Sequence, residues 1–459
     1  MNQPSDPMDR PELASLPLGR RRFIIGAASV LGAGAVLAAC GSDGDSDSSP
    51  AATDASSSTD ASSSTDAAAT GDGCTTTFGS NYSDEKPKAG MAAAIAATGV
   101  NGEINTVDHN TYQENFNTYI QQPDDTMAWF AGYRMRAFAN KGVVGDISDV
   151  WSSSLSDMSE GFKNASTGTD GKQYFVPFYF YAWGIHYRKS LFEEKGYEIP
   201  TTWDELLALA AQMEADGITP FCAANDGGWP QMGMFDMLNM RINGYDFHVS
   251  LMGGNEDWTS DQVKEVFAAW NELLPYYEPD ANGRTWQESA NSFGEKSCGM
   301  YLIGNFLTSN FDAATQQDII DDIDFFAFPE INPDYGQEAI EAPIDGFMMA
   351  AAPEDEECAK ELLAGLGSKE AIEAYIAVDP SVVAANSAAD TSGYNALQQK
   401  AAELVGSATY ISQFLDRDTD PDFAANVVGK AIADFLSDPA SIDGLLATVQ
   451  EQAQTYTFE

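Results

Sequence analysis

Apolar and polar positions along residues 74–459 follow two periods, one typical of helices and one typical of short strands. The clearest helix begins after Pro200, where Thr202 and Glu205 have the spacing of a capping box, and we expect it to end at Gly217. Its apolar face is formed by Leu206, Leu209, Ala210 and Met213.

Strands are predicted at residues 73–78 and 103–108, on either side of a small-residue helix around Met91 to Ala97. A second helical stripe, which precedes Pro275, consists of Val263, Val266, Phe267 and Trp270. We expect the last seventy or so residues to be helical throughout, with apolar stripes formed by Phe423, Val427, Ile432, Phe435 and Leu436. This alternation predicts an α/β architecture in which helices cover the sheets.

The N-terminal segment has the pattern of an export signal. Arg20 to Arg22 precede Phe23 and a short apolar run that continues to Ala39. The order Arg-Arg-x-Phe-Ile resembles the twin-arginine type, and the ending Leu-Ala-Ala-Cys matches the bacterial lipobox. We therefore expect residues 1–40 to be a lipoprotein signal peptide with Cys40 as the lipidated residue. An uncleaved anchor helix is the alternative.

Residues 41–73 differ sharply in composition. They consist mostly of Ser, Thr, Asp, Ala and Gly and contain no aromatic and no basic residue. Such a segment buries too little apolar surface to offset the entropy of ordering it, so we predict a disordered tether. The remaining residues, 74–459, are too many for one ordinary core and predict two domains.

The balance of charge excludes several classes of partner. The chain has 70 acidic and 23 basic residues, a formal net charge of −47. Nucleic-acid binding requires basic surface to replace counterions, and adhesion to anionic lipid requires it too. We therefore expect no nucleic-acid partner, and contact with the membrane only through the lipid on Cys40.

Several catalytic and metal-binding motifs are absent. The three histidines are isolated, and the sequence contains no H-E-x-x-H, no G-x-S-x-G and no phosphate loop. Asp416, Asp418 and Asp420 alternate as in a calcium loop, but Pro421 and Val427 occupy the positions of its Gly and Glu. We expect an exposed acidic turn there, and no metal or cofactor.

Four cysteines follow Cys40, and in an exported protein an even number favours disulfides. No C-x-x-C is present. Their spacing leaves all three pairings open among Cys74, Cys222, Cys298 and Cys358.

Segments spread along the chain resemble the extracellular solute-binding proteins that serve carbohydrate importers, of the maltose-binding-protein type. Each match is weak alone, but they occur in the expected order. They comprise residues 129–134, 139–144, 146–151, 184–192 running into 200–207, 298–306, and 346–353 with the helix after Cys358.

The resemblance implies a two-lobed periplasmic-binding-protein type II fold with three interlobe crossings. By analogy, lobe one takes residues 74–182 plus 346–388, and lobe two takes residues 183–345 plus 389–459. This division puts Cys74 and Cys358 in one lobe, and Cys222 and Cys298 in the other. Pairing within each lobe would leave the hinge free.

The implied function is that of a lipid-anchored, extracytoplasmic component of an ABC importer. It would capture a carbohydrate in the interlobe cleft as a monomer, without covalent chemistry, and deliver it to the transporter's membrane subunits. The alternatives are an exported glycoside hydrolase or lyase, and a lipoprotein of the same fold that binds another solute.

A sugar presents apolar C–H faces and rings of hydroxyls, so its site needs aromatic plates beside short polar groups. Three tryptophans, Trp151, Trp203 and Trp270, are assigned to packing. Asp125 occupies a position where the family has an apolar residue, and for Trp129 a buried structural role is the alternative. The candidate ligand contacts are Tyr82, Asp124 and Trp129 in lobe one; Trp183, Asp345 and Gly346 at the crossings; and Asn225, Asp226, Trp229, Trp286, Asn305 and Phe306 in lobe two.

Overall fold

The computed structural model describes residues 74–156 and 158–458. The predicted signal peptide, its lipidated Cys40 and the predicted tether lie outside these residues. Within the described ranges, no helix has both the length and the apolar character needed to cross a bilayer.

The described residues alternate between helices and short strands, as the pattern predicts. The strands are β1 Thr75–Ser80, β2 Asn101–Thr106, β3 Thr126–Phe130, β4 Val176–Phe180, β5 Trp183–Arg188, β6 Thr219–Phe221, β7 Cys298–Gly304, β8 Ile323–Phe326, β9 Ala339–Glu341, β10 Ile344–Met349, β11 Val383–Ala384 and β12 Tyr410–Ser412. The helices are α1 Glu85–Thr98, α2 His109–Glu114, α3 Phe116–Tyr119, α4 Tyr133–Asn140, α5 Ser148–Ser154, α6 Glu160–Ala165, α7 Lys189–Lys195, α8 Trp203–Ala215, α9 Met232–Asn243, α10 Tyr245–Met252, α11 Asp261–Leu273, α12 Trp286–Gly294, α13 Ala313–Asp322, α14 Glu356–Leu366, α15 Lys369–Ile376, α16 Ala396–Ser407, α17 Leu415–Asp418, α18 Pro421–Phe423, α19 Gly429–Ser437 and α20 Ile442–Ala453.

A six-stranded sheet has the order β11-β4-β10-β3-β1-β2. β1 pairs in parallel with β2 and β3, whereas β10 runs antiparallel between β3 and β4. β3, β4 and β10 are buried along their whole length, as expected for central strands that are covered on both faces. We call this sheet and its helices the first lobe.

A four-stranded sheet has the order β6-β7-β5-β8, in which β5 runs antiparallel to both β7 and β8. We call this sheet and its helices the second lobe. A separate parallel pair joins β9 to β12.

Two short connections join the six-stranded sheet to strands outside it. Tyr181 and Ala182 join β4 to β5, and Ala342 and Pro343 join β9 to β10. After β11 the chain leaves the six-stranded sheet, and β12 then pairs with β9. Ile344 and Asp345, the first residues of β10, pair with β4.

The predicted start and end of the helix that follows Pro200 are confirmed. α8 begins at Trp203 behind a capping box in which the Thr202 side chain and the Glu205 side chain each accept a backbone N–H. The helix ends before Gly217, whose φ of 77° is a left-handed conformation that favours glycine.

Two expectations for the C-terminal region are wrong. Residues 390–459 are not helical throughout, because β12 interrupts them to pair with β9, a partner far away in sequence. The acidic run is not an exposed turn either. Asp416 is buried and forms an ion pair with Arg134, which a local sequence pattern does not show.

The two disulfides join Cys74 to Cys358 and Cys222 to Cys298. The first ties the start of β1 to α14, and the second links the end of β6 to its neighbour β7. Each lies within one lobe, so the pairing inferred from the resemblance is confirmed.

Candidate ligand-binding site

A cavity with about 870 Å³ of space free of protein atoms, part of it open to solvent, lies where residues of the two lobes meet. We call it the main cavity. Residues near β1, β4 and β10 line one side, and residues near β5, β7 and α17 line the other.

Aromatic rings form the wall of the second lobe. Trp183, the first residue of β5, meets Trp229 edge-to-face with 6.3 Å between ring centroids. Phe306 follows β7, and its ring centroid lies 6.3 Å from that of Trp183 and 5.3 Å from that of Trp286. A Cβ on Gly304 would lie 2.5 Å from the Phe306 ring, so glycine permits this close arrangement.

Tyrosines form much of the opposite wall. The ring of Tyr375 lies 5.3 Å from that of Tyr179 and 6.1 Å from that of Tyr82. Burial raises the pKa of all three phenols above the ordinary value. They therefore stay protonated near neutral pH and can both donate and accept hydrogen bonds.

A buried ion pair connects the two walls. Arg417 donates from Nη1 to Oδ1 of Asp345 at 2.8 Å and from Nη2 to the hydroxyl of Tyr181 at 3.0 Å. Burial raises the pKa of Asp345, and Arg417 partly counteracts that rise. Burial alone would lower the pKa of Arg417, but Tyr181, Asp345 and Asp416 together raise it, so the guanidinium stays charged.

A second chain of polar contacts borders the same space. Arg134 donates from Nη1 to Oε1 of Gln113 at 2.6 Å, and Nη2 of Arg134 lies 3.4 Å from Oδ2 of Asp416. Nε2 of Gln113 faces Nε2 of His109 at 2.6 Å. Burial, followed by the charge of Arg417, lowers the pKa of His109 to about 4. The imidazole is therefore neutral at pH 7 and accepts the amide hydrogen.

Some polar atoms of the lining residues are buried and have no hydrogen-bond partner within the described part of the chain. They are Nε1 of Trp183, Oδ1 of Asp379, Oγ of Ser381, Oδ1 of Asp416 and Nε of Arg417. Two of them, Oδ1 of Asp416 and Nε of Arg417, lie 3.9 Å apart and form an ion pair.

The structure brings half of the candidate residues to the main cavity. The six that line it are Tyr82, Trp183, Trp229, Trp286, Phe306 and Asp345. The six that do not are Asp124, Trp129, Asn225, Asp226, Asn305 and Gly346.

Two of these six are held in the first lobe. Asp124 accepts hydrogen bonds from Nδ2 of Asn105 at 2.6 Å and from the hydroxyl of Tyr119 at 2.7 Å. Trp129 is 2% exposed and stacks on Phe116 with 3.5 Å between ring centroids, so it packs the core instead of facing the main cavity.

The loop before Trp229 and the residue before Phe306 position the aromatic rings. Asn225 donates from Nδ2 to Oδ1 of Asn282 at 2.8 Å, while Asp226 is exposed. Asn305 donates from Nδ2 to the carbonyl of Leu397 at 3.3 Å. The side chains of Asn225 and Asn305 thus bond to protein groups and support the loops that carry the rings.

Gly346 has a packing role in β10. A Cβ at this position would lie 2.0 Å from the carbonyl oxygen of Val176 and 2.7 Å from the ring of Phe175. The pairing with β4 is also irregular between Asp345 and Gly346. The residue allows β10 to approach β4 closely and leaves the adjacent Asp345 beside the main cavity.

Sequence reasoning missed several lining residues. Asp416 and Arg417 line the main cavity but were not predicted, because they lie in an acidic run whose spacing resembles a calcium loop. The single Arg between aspartates could have indicated an ion pair there. His109, Tyr375 and Asp379 carry no local signal, because tertiary packing alone brings them to the main cavity.

Comparison with known proteins identifies the family. A model of the bacterial extracellular solute-binding proteins matches residues 82–373. An uncharacterized ABC transporter extracellular-binding protein of Pyrococcus horikoshii is 24% identical over 57% of this chain and 58% of its own length. The multiple sugar-binding protein of Streptococcus mutans is 29% identical over 34% of this chain and 39% of its own. The chain thus spans less than two thirds of either relative.

Solved structures share the fold over most of the described residues. The bacterial solute receptor AcbH, described as having an exclusive preference for β-D-galactopyranose, superposes with a TM-score of 0.80 and 40% identity, covering 83% of this chain and 99% of that one. A chitin oligosaccharide binding protein superposes with a TM-score of 0.74 at 19% identity, covering 83% and 99%. The chain therefore has the two-lobed α/β fold of the maltose-binding-protein type. It belongs to the bacterial extracellular solute-binding protein family.

Proposed function

We propose that this chain captures a carbohydrate in the main cavity, outside the cytoplasmic membrane, and delivers it to the membrane subunits of an ABC importer. The observation that carries the proposal is a cavity that sets Trp183, Trp229 and Phe306 opposite tyrosines, carboxylates and a buried arginine. The lobe boundaries near residues 182, 345 and 388 belong to the same proposal.

The chemistry of the two walls suits a pyranose. Aromatic faces bury the C–H face of a sugar ring at little cost in side-chain entropy. The carboxylates of Asp379 and Asp416, which line the cavity, can accept hydrogen bonds from sugar hydroxyls, and the guanidinium of Arg417 can donate to one. The candidate contacts that we retain are Tyr82, Trp183, Trp229, Trp286, Phe306 and Asp345, together with Asp379, Asp416 and Arg417.

The solved relatives indicate which sugar to test first. AcbH shares 40% of its sequence with this chain and is described as preferring β-D-galactopyranose. D-galactose is therefore the first probe, beside D-glucose, D-mannose and D-mannitol. The last of these is the ligand named for a solute-binding protein from Agrobacterium vitis that has the same fold.

Binding is coupled to closure of the lobes. The main cavity takes residues from both lobes, so a ligand in it contacts both only when they are closed. The short crossings through Tyr181 and Ala182, and through Ala342 and Pro343, allow such hinge motion. The membrane subunits then recognise the closed, loaded monomer.

The sequence supports attachment to the membrane through lipid. Residues 1–40 have the features of a lipoprotein signal, and residues 41–73 have those of a flexible tether. We propose that the acylated thiol of Cys40 holds the lobes near the importer, on the extracytoplasmic face.

Calorimetric titration with the sugar panel and with oligosaccharides tests this function, combined with chromatography of each mixture for reaction products. We expect saturable binding of at least one sugar at a stoichiometry of about one to one, with no product released. Failure of every sugar to bind would reject carbohydrate capture. Cleavage of an oligosaccharide would instead support the hydrolase or lyase alternative.

A further inference from the structure

A second chamber adjoins the main cavity and shares part of its wall. It contains about 760 Å³ of space free of protein atoms, part of it open to solvent. Gln113, Trp229 and Asp416 line both spaces. The second chamber is therefore a neighbour of the main cavity, across a boundary of three side chains.

The second chamber also takes its walls from both lobes. Residues of α2 and α3 line one side. The other side is lined by Gly227, Gly228, Pro421, Asp422, Ala425 and Asn426. The lobes approach closely here, because a Cβ on Gly227 would lie 3.0 Å from Nδ2 of Asn110. A group held in this chamber would contact both lobes, as a ligand in the main cavity does.

The chemistry of the second chamber suits another hydroxyl-rich ring. Carboxamides of Asn110, Asn117 and Asn426 line it, and the half-buried indole of Trp229 supplies an aromatic surface. Amides both donate to and accept from hydroxyls. The chamber therefore pairs polar groups with an aromatic plate, as the main cavity does.

The charges that line the second chamber do not favour an anion. Nη2 of Arg134 lies 3.4 Å from Oδ2 of Asp416, so this buried pair neutralises itself. The exposed carboxylates of Glu114 and Asp422 leave the lining net negative. A neutral, hydroxyl-rich ligand therefore fits it better than an anionic one.

We propose that the second chamber holds the second ring of a disaccharide whose first ring occupies the main cavity. The inference rests on the proposed function and deepens it, because it names a glycoside as the substrate class. It also predicts a difference from AcbH, whose described preference is for a single galactopyranose.

Calorimetry with a monosaccharide and matched disaccharides tests the inference. The probes are D-galactose, methyl β-D-galactopyranoside and galactosyl disaccharides with β-1,3, β-1,4 and α-1,6 linkages. We expect at least one disaccharide to bind about tenfold or more tightly than galactose, a difference of about 1.4 kcal/mol.

A blocking variant locates the second ring. Ala425 is exposed and lines the second chamber but not the main cavity, so Ala425→Trp would fill the chamber without disturbing the core. We expect this variant to lose the disaccharide preference and to keep the wild-type affinity for galactose. The matched control is Ala268→Trp, at an exposed position of α11 that lines neither space.

The outcomes separate the two proposals. Galactose binding without any tighter disaccharide would overturn the second-ring assignment and leave the proposed function standing. The same assignment would fail if Ala425→Trp weakened galactose and the disaccharide equally. Absence of binding by every sugar would overturn both.

Discussion

Nη1 of Arg417 lies 2.8 Å from Oδ1 of Asp345, and the two residues of this ion pair are 72 positions apart in sequence. Asp345 belongs to β10, which follows the second short crossing, and Nη2 of the same guanidinium contacts the hydroxyl of Tyr181 at the first crossing. Arg417 therefore joins residues at two crossings beside the main cavity.

Replacing Arg417 with Met should destabilise the protein by about 3–5 kcal/mol, because it leaves the buried carboxylate of Asp345 without its partner. The double variant R417M/D345N should recover part of this loss, since it removes the uncompensated charge. Chemical denaturation of the single and double variants measures both changes. Equal stability of wild type and R417M would contradict a structural role for the pair.

Gly346→Ala should reduce the free energy of unfolding by about 1–3 kcal/mol, because its Cβ would lie 2.0 Å from the carbonyl of Val176. Gly393→Ala is the matched control, since no heavy atom lies within 4 Å of a Cβ there. Thermal melts of the two variants compare them directly. If both variants melted alike, the close approach of β10 to β4 would be in doubt.

The sequence predicts those parts of the fold that local signals specify. Residue type and spacing were enough to predict the cap of α8 and the first strand. They also indicated three aromatic residues of the main cavity, Trp183, Trp229 and Phe306. The spacing of the cysteines left three pairings open, and the family resemblance, which divides them between two lobes, suggested the pairing that the structure has.

The missed features depend on contacts between distant segments. β12 forms only because β9 lies beside it, and Trp129 is a core residue because Phe116 stacks on it. Asp416 looked exposed in an acidic run, yet Arg134, which is distant in sequence, compensates its charge in the fold. Because Arg134 and Asp416 lie far apart along the chain, as β9 and β12 do, no short window of sequence contains both partners.

In the folded protein, the three histidines should remain neutral at pH values well below the one at which a free imidazole becomes protonated. Burial lowers the pKa of His109 and His186 to about 4 and that of His248 to about 3. An unfolded histidine titrates near 6.5. Their contribution to stability is therefore complete above about pH 6.5 and is lost as the pH falls towards 4.

An NMR pH titration can follow all three imidazoles individually, because the chain has only three histidines. We expect their ring-proton shifts to remain those of neutral imidazole at pH 5. A native-state midpoint near 6.5 for any of them would contradict the burial described here. Single His→Gln variants assign the signals.

Non-reducing peptide mapping should recover two linked peptide pairs, one with Cys74 and Cys358 and the other with Cys222 and Cys298. Replacing Cys222 and Cys298 together with Ser should cost about 2–4 kcal/mol, because the disulfide restricts the unfolded chain. Recovery of a cross-lobe pair such as Cys74 with Cys222 would contradict the structure.

Trp229→Ala should weaken sugar binding about tenfold or more, since truncating an aromatic anchor in a binding site usually costs over 1 kcal/mol. Its half-buried indole makes loss of the fold a smaller concern than for a core tryptophan. Tyr245→Ala is the control, because this half-buried ring stacks on Tyr410 away from the main cavity. Calorimetry should show unchanged affinity in the control.

The most direct test is a crystal structure of the protein grown with the sugar that binds most tightly in the titration panel. We expect electron density for a pyranose in the main cavity, with one ring face on Trp183, Trp229 or Phe306 and its hydroxyls towards Asp379, Asp416 or Arg417. Density for the bound sugar at any other place on the molecule would contradict the account.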